Sequence, residues 1–187
     1  MSNAQLPIPD DVFRDQATLE TASLRLVPLG PQHFDGAWAA LQDAESKRLT
    51  GTHEEFTEEQ IRAWLASRAD AHDRADWAIE SRSDGRYLGE VVLNDLDPHN
   101  RKMGFRIALS GAAVFGKGYG SEATKAVVEH GLRVIGLHRI ELEVVDFNTR
   151  AQRVYAKAGF HQEGLLKEAW YWDGEWSDVI VMAVVAD

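Results

Sequence analysis

Hydrophobic and polar positions recur along this chain with two periods, and these periods divide it into strands and helices. In ASLRLVPL, Leu24 and Leu26 alternate with polar neighbours, which predicts a first strand. The next apolar residues recur at helical spacing over 34–41. A second helix is predicted to begin at Thr57, because Thr57 and Gln60 stand in capping-box positions before an apolar stripe. The pattern therefore predicts one strand and then two helices.

The rest of the chain changes from consecutive strands to alternating helices and strands. Two predicted strands, 76–81 and 86–95, flank Asp84-Gly85, a dipeptide that favours a hairpin, and a third follows at 103–109. The later elements are a helix over 120–135, a strand over 138–146, a helix over 149–158, a strand from about 160 and a last strand, DVIVMAVV, after Asp173-Gly174. This order predicts a mixed α/β (α+β) fold, with a central, mostly antiparallel sheet and helices on both faces.

Length and charge narrow the class of protein. The chain has 187 residues, of which 44% are hydrophobic, which predicts a single domain over 1–187 with a polar leader at about 1–20. The 20 Lys and Arg against 30 Asp and Glu give a net charge of −10. This balance argues against nucleic acid or an anionic membrane surface as a partner, and it would attract a cationic substrate.

Several kinds of chemistry are absent from the sequence. There are no cysteines, which excludes a thiol nucleophile, and the seven histidines form no H-x-x-x-H or H-x-H cluster, so no metal site is expected. The longest apolar run, VIVMAVVA, is too short to cross a bilayer as a helix, and the first residues lack the features of a secretory signal. We therefore expect a cytoplasmic protein with no membrane partner.

The segment VFGKGYGSEATKAVVEHG (114–131) places three glycines directly before a predicted helix. Helix N-termini expose unpaired N–H groups and a partial positive charge, so a glycine-rich approach favours phosphate binding. Gly116, Gly118 and Gly120 would let the backbone close around an anion, and Lys117 would add a charge. The segment matches neither a Walker loop nor G-x-G-x-x-G. The alternative is a tight strand-to-helix turn without a ligand.

A second segment, VVDFNTRAQRVYAKAGF (144–160), ends a strand, caps a helix with Asn148 or Thr149 and closes that helix with Gly159. The two segments, together with LRLVPL, GEVVLNDLD and WDGEWSDVIVMAV, resemble the GNAT superfamily of acetyl-CoA-dependent N-acyltransferases. Their order and spacing are most similar to its RimJ/RimL-like branch. The resemblance covers the chain from Leu24 to about Val184.

The resemblance implies acetyl-CoA as co-substrate. It implies that the pyrophosphate lies on the amides of 116–121, that the pantetheine follows the strand ending at 107–109, and that Asn148 contacts the cofactor. Arg153 and Lys157 would meet its anionic end, unless they form only a solvated helix face. The implied cofactor-binding residues are Ile107, Ala108, Leu109, Gly116, Lys117, Gly118, Tyr119, Gly120, Ser121, Asn148 and Arg153.

Two positions depart from the family's pattern. Phe115 stands where Gln or Arg is common, which weakens a side-chain contact to the pyrophosphate. Ala151 stands where relatives often have serine.

The implied reaction is attack of a primary amine on the thioester. Deprotonation at pH 7 costs roughly 1 kcal/mol for an α-amine with pKa about 8, but about 4.6 kcal/mol for a lysine amine near 10.4. We therefore expect the α-amine of a peptide or protein N-terminus as acceptor. The alternatives are a small cationic amine, such as a polyamine, amino acid or aminoglycoside, and a non-catalytic acyl-CoA-binding regulatory module.

Glu143 is the candidate base, because relatives that acetylate protein N-termini carry a glutamate there that acts through water. The alternative is a polar residue on a partly exposed strand face; Glu90 and Asp95 are weaker candidates. Tyr155 is the candidate acid, since the resemblance places it beside the thioester sulfur, and packing of its ring in the core is the alternative. A backbone N–H near Leu109 would hold the oxyanion.

Three tryptophans, Trp170, Trp172 and Trp176, surround the last predicted turn. We expect half-buried sheet packing for them, with a wall of an acceptor pocket or a homodimer contact as alternatives.

Overall fold

The computed structural model describes residue 8 and residues 10–186, and its centre is one sheet. The strands are β1 Leu19–Glu20, β2 Leu24–Pro28, β3 Ala75–Ser81, β4 Tyr87–Asp97, β5 Lys102–Leu109, β6 Arg139–Val145, β7 His161–Trp172 and β8 Glu175–Val185. Within the described residues these eight strands lie in the order β1-β2-β3-β4-β5-β6-β8-β7. Neighbouring strands are antiparallel except β5 and β6, which are parallel. The predicted mixed, mostly antiparallel sheet is confirmed.

Helices cover both faces of this sheet, as predicted. They are α1 Phe34–Ala40, α2 Ala44–Thr50, α3 Glu58–Ala66, α4 Tyr119–His130, which continues as a π-helical turn over Gly131–Ile135, and α5 Thr149–Lys157. α1 and α3 bury Phe34 and Leu65 in a small core that includes Ala78 of β3. α4 and α5 pack on the opposite face, in the main core around Trp77 and Phe160.

The period of each strand determines which face its side chains reach. Leu24 and Leu26 are fully buried, as the alternation predicts. Both expected hairpins form. Asp173 and Gly174 make a two-residue turn with φ values of 48° and 88°. Around Asp84-Gly85 the connection is longer, because only Gly85 of that pair has a positive φ.

Helix α2 is a third helix in a region where the sequence pattern predicts two. Its sequence, AESKRLT, buries only Ser46, so it lacks the apolar stripe on which the prediction depends. The signal in the sequence that could have predicted α2 is its pair of capping residues. The Asp43 carboxylate accepts a hydrogen bond from the Ser46 N–H at 2.8 Å, and Gly51 closes the helix at φ 66°.

The polar leader expected over 1–20 is partly structured. Ile8 and Phe13 are 6% and 4% exposed in the main core, and Leu19–Glu20 pairs with β2. The apolar residues of this segment are too irregularly spaced to show a period. Residues 1–7 and 9 lie outside the described part of the chain.

The parallel contact between β5 and β6 is short. It covers three residue pairs, from Lys102 opposite Arg139 to Gly104 opposite Glu141. Beyond them, β5 stays paired with β4 as far as Leu109, and β6 stays paired with β8. The two strands therefore separate, and the gap between them positions the candidate site.

Candidate active site

A cavity of about 820 Å³ occupies the gap between β5 and β6. On β6 its wall includes Leu142 and Val144, which belong to the main core beside α4 and α5. It also includes Glu141 and Glu143, which alternate with them and therefore face the opposite side of the sheet. We call this space the larger cavity; it extends through the sheet from one face to the other.

One end of the larger cavity is the N-terminus of α4, where Gly116, Gly118, Gly120 and Ser121 line the wall. Gly118 is the N-cap residue at φ 88° and provides no side-chain cap, so the first N–H groups of α4 are left for another acceptor. A Cβ built on Gly116 or Gly118 would meet nothing within 4 Å. This open, donor-rich end has the form of an anion cradle.

Two predicted residues of this loop contribute no side chain to the wall. Lys117 is exposed and lies outside the set of lining residues. The Tyr119 ring packs against the main core.

Helix α5 forms a second wall of the larger cavity. Asn148 caps it, since its Oδ1 accepts a hydrogen bond from the Ala151 N–H at 3.2 Å. Arg150, Arg153 and Lys157 all line the cavity, and among the described residues none of the three forms an ion pair. We call these three side chains the basic rim.

Sequence reasoning missed Arg150 of the basic rim. Its guanidinium lies 4.1 Å from the centre of the Phe115 ring. A positive charge therefore lies beside Phe115, the position at which the family commonly has Gln or Arg. The available signal was its spacing, since residues at i and i+3 share a helix face and Arg150 precedes Arg153 by three positions.

A smaller cavity of about 640 Å³ lies between the α1–α3 side and strands β4 and β5. Ser46, Thr50 and the stretch of β5 from Arg106 to Leu109 line both cavities. The predicted residues Ile107, Ala108 and Leu109 therefore lie where the two cavities meet. The remaining wall of the smaller cavity includes Phe56, Trp64, Tyr87 and Glu90.

The three candidate carboxylates occupy different environments. Glu90 is half-buried in the wall of the smaller cavity, and its burial and the charge of Asp76 raise its pKa to about 7. Asp76 is buried and is held by Arg74 through two hydrogen bonds of 2.7 Å. Glu143 and Asp95 are exposed in the wall of the larger cavity. A pKa of about 7 suits Glu90 to act as a base at neutral pH.

Tyr155 lines the larger cavity and also packs in the main core. It is 7% exposed, and its ring centre lies 6.0 Å from Phe105 and 5.9 Å from Phe160. Burial raises the pKa of Tyr155 to about 12. The hydroxyl therefore stays protonated at neutral pH and can donate a hydrogen bond into the cavity.

The tryptophans of the last hairpin divide between two environments. Trp170 is half-buried and lines the larger cavity, and Trp172 packs 4.7 Å from the His53 ring. Trp176 is 61% exposed and contacts Tyr171. Half-buried packing holds for the first two and is wrong for Trp176.

The part of the chain that the structure describes holds no group of three or more His, Asp or Glu side chains placed to bind a metal ion. None of its helices is long and apolar enough to span a membrane.

Comparison with known families identifies the domain that contains both segments, 114–131 and 144–160. Residues 23–161 match the family model of the acetyltransferase (GNAT) domain. The chain belongs to the GNAT acetyltransferase family. Among its relatives is the probable N-acetyltransferase YjcK of Bacillus subtilis, 32% identical over 118 residues, which are 63% of this chain and 65% of YjcK. The match therefore spans slightly less than two thirds of that relative.

Solved GNAT structures share the architecture of this chain. The spermidine N-acetyltransferase of Vibrio cholerae, in complex with CoA and spermine, aligns with a TM-score of 0.81 at 19% identity, covering 88% of this chain and 96% of that one. RimL, a ribosomal L7/L12 α-N-protein acetyltransferase in complex with coenzyme A, aligns with a TM-score of 0.81 at 19% identity, covering 91% and 99%. At these identities the likeness is one of fold.

Proposed function

We propose that this chain transfers an acetyl group from acetyl-CoA to a primary amine, and that the acceptor is the α-amine of a peptide or protein N-terminus. The observation that carries this proposal is the meeting of the two cavities along β5, from Arg106 to Leu109. A thioester reaching this stretch through the gap between β5 and β6 would meet an amine held in the smaller cavity. The new N–C bond and the breaking C–S bond would lie there.

The larger cavity fits acetyl-CoA in its shape and in its charge. The amides at the N-terminus of α4, over 116–121, would hold the pyrophosphate, and the open space at Gly116 and Gly118 leaves room for it. The basic rim gives an otherwise acidic chain a local positive charge for the remaining phosphate. Ile107, Ala108 and Leu109 would line the pantetheine arm, and Asn148 would contact it at the start of α5.

We propose a carboxylate base, with Glu143 and Glu90 as its two candidates. Glu143 faces the gap from β6 and would act through water. Glu90 lies in the smaller cavity and has its pKa raised to about 7. A base of that pKa takes a proton from an α-amine of pKa about 8 at a cost of about 1.4 kcal/mol, against about 4.6 kcal/mol for an alkylamine of 10.4. This difference favours an α-amine acceptor, and a pKa of about 7 suits Glu90 to the role of base.

We propose that Tyr155 hydrogen-bonds the departing sulfur. A thiol titrates near 8.5, whereas the pKa of Tyr155 is raised to about 12. Full proton transfer from the phenol to the thiolate would cost about 4.8 kcal/mol. The hydroxyl therefore stabilises the developing negative charge by donating a hydrogen bond, and its contribution is moderate.

A small cationic amine is the second candidate acceptor. The V. cholerae structure with CoA and spermine has the same fold, and Glu54 adds a carboxylate to the smaller cavity of a chain with net charge −10. The third candidate is an acyl-CoA-binding module without turnover, which would bind the same co-substrate through the same larger cavity.

Calorimetric titration with acetyl-CoA, followed by a free-thiol release assay, tests these candidates. The acceptor panel contains peptides with free N-termini, polyamines and aminoglycosides. We expect binding at micromolar concentrations (~10⁻⁶ M) and thiol release with peptides. Release with polyamines alone would select the second candidate, and binding without any release would select the third. Absence of binding would contradict the assignment of the larger cavity.

A further inference from the structure

Arg106 stands where the larger and the smaller cavity meet, and it lines both. It lies opposite Val92 on β4, two residues along the ladder from the pair of Glu90 and Ala108. Glu90 in turn lies opposite Ala78, which belongs to the core under α1 and α3. Since side chains alternate along a strand, Arg106 and Glu90 face the same side of the sheet.

Arg106 differs from the other two cations of the smaller cavity. Lys47 is paired with Glu55 at 2.9 Å, and Arg74 is held by Asp76. Arg106 is exposed, and within the described residues its guanidinium makes neither an ion pair nor a side-chain hydrogen bond. A guanidinium presents a rigid fork of donors that matches a carboxylate.

The co-substrate leaves this guanidinium without a counter-charge. The phosphate-binding end of the larger cavity is the N-terminus of α4, on the opposite face of the sheet. The pantetheine arm, which would pass Arg106, carries no charge. Within the described residues, Glu90 is a nearby charge that acts on Arg106 but makes no ion pair with it, so the acceptor can supply the direct partner.

We infer that Arg106 selects acceptors whose primary amine is accompanied by a carboxylate, which its guanidinium binds while the amine lies at Glu90. This inference rests on the proposed function. Diagonal neighbours on adjacent strands are about 7–8 Å apart, a span that an amine and a carboxylate joined by a few atoms can bridge. A polyamine would instead bring a second cation against Arg106, which disfavours it.

Two sources can supply this chemistry: a free amino acid, and a peptide whose first residues include Asp or Glu. Thiol release is measured on matched pairs, namely glycine against glycinamide and the peptide amide Glu-Gly-NH₂ against Gln-Gly-NH₂. We expect the carboxylate-bearing member of at least one pair to have the higher kcat/KM, by about tenfold or more. The pair that shows the difference identifies the source.

Substitution then assigns this preference to Arg106. Arg106→Gln is expected to abolish the preference by raising KM for the carboxylate-bearing acceptor. Arg106→Lys should retain part of the preference, and Arg106→Glu should reverse it in favour of spermidine. Arg133→Gln, which removes an exposed arginine from the turn after α4, is the charge-matched control and should leave the preference unchanged.

Binding of the same pairs is also measured by calorimetry with CoA present, so that a chain without turnover still tests Arg106. A preference in binding without thiol release would support the role of Arg106 and contradict the proposed transfer. No preference in the unsubstituted chain would overturn the inference. So would loss of acetyl-CoA affinity in Arg106→Gln with the ratio between acceptors unchanged, because Arg106 would then serve the co-substrate.

Discussion

The larger and the smaller cavity are built in different ways. At the N-terminus of α4, the larger cavity presents main-chain N–H groups from one short segment, and this end depends on glycines at 116 and 118 rather than on particular side chains. The smaller cavity is walled by side chains from α1, α2, α3, β4 and β5. A family can therefore keep one co-substrate while its acceptors vary, because changes in the smaller cavity leave the α4 end intact.

The largest effect that tests this division is expected at Glu90. Glu90→Gln removes the carboxylate and should lower kcat/KM on a peptide amine by about 10²–10⁴-fold. Because the base must be ionised, kcat/KM of the unsubstituted chain should rise with pH through about 7, and this limb should disappear in the variant. Acetyl-CoA affinity, measured by calorimetry, should not change. Glu143→Gln is the comparison, and the larger loss in that variant would assign the base to β6.

The same substitution should stabilise the fold. The pKa of Glu90 is raised from 4.5 to about 7 in the folded chain, so the free energy of unfolding decreases as pH rises from 4.5 through about 7. Glu90→Gln has no ionisable carboxyl group, so it avoids this decrease in the free energy of unfolding. We expect it to raise the free energy of unfolding at pH 8 by up to about 3 kcal/mol, measured by urea denaturation. An unchanged difference between the two chains at pH 4 and pH 8 would contradict the raised pKa.

The next effect concerns the α4 end of the larger cavity. Gly118→Val should weaken acetyl-CoA binding by about tenfold to a hundredfold, because its Cβ would enter the open space before the helix and its φ of 88° is left-handed. Gly174 is a matched control, since it has the same φ and the same open surroundings in the last hairpin. Gly174→Val should lower the Tm to a similar extent and leave acetyl-CoA affinity unchanged. Equal acetyl-CoA affinities in the two variants would contradict phosphate binding at the N-terminus of α4.

This division also explains what the sequence could predict. Gly116–Ser121 and Asn148–Gly159 are continuous segments whose local conformation creates the contacts, so a motif read in order predicts them. Glu90 and Arg106 acquire their roles from strand pairing and from helices placed over them. The pKa of Glu90 is raised by burial and by the charge of Asp76, fourteen positions away in the chain, and no local period reveals either cause. Helix α2 was not predicted for a related reason, since it buries too little apolar surface to produce an apolar stripe in the sequence.

A smaller effect is expected at Tyr155, where the larger cavity meets the main core. Tyr155→Phe removes only the hydroxyl, so kcat should fall by about tenfold, while the aromatic contacts with Phe105 and Phe160 keep the Tm close to that of the unsubstituted chain. Tyr171→Phe, at an exposed position of β7, is the control and should change neither quantity. An unchanged kcat in Tyr155→Phe would leave the ring with a packing role alone.

The smallest effect is expected at the basic rim. Arg153→Gln should raise the Kd for acetyl-CoA by about twofold to fivefold at low salt, because exposed charge pairs contribute little. The difference should shrink at high salt, where the charges are screened. Calorimetry at both salt concentrations, with Arg133→Gln as the control, measures it. A loss that persists at high salt would show that Arg153 contributes more than a screened charge.

The short contact between β5 and β6 also has a mechanical consequence. It joins a group of five strands, β1 to β5, to a group of three, β6 to β8, through three residue pairs, whereas β6 and β8 share seven pairs. Strand pairing is therefore weaker along this line than between β6 and β8, and the two groups of strands are natural units of partial unfolding. A ligand bound across the gap between β5 and β6 would contact both groups of strands. Heat or force would then unfold the two groups together rather than separately.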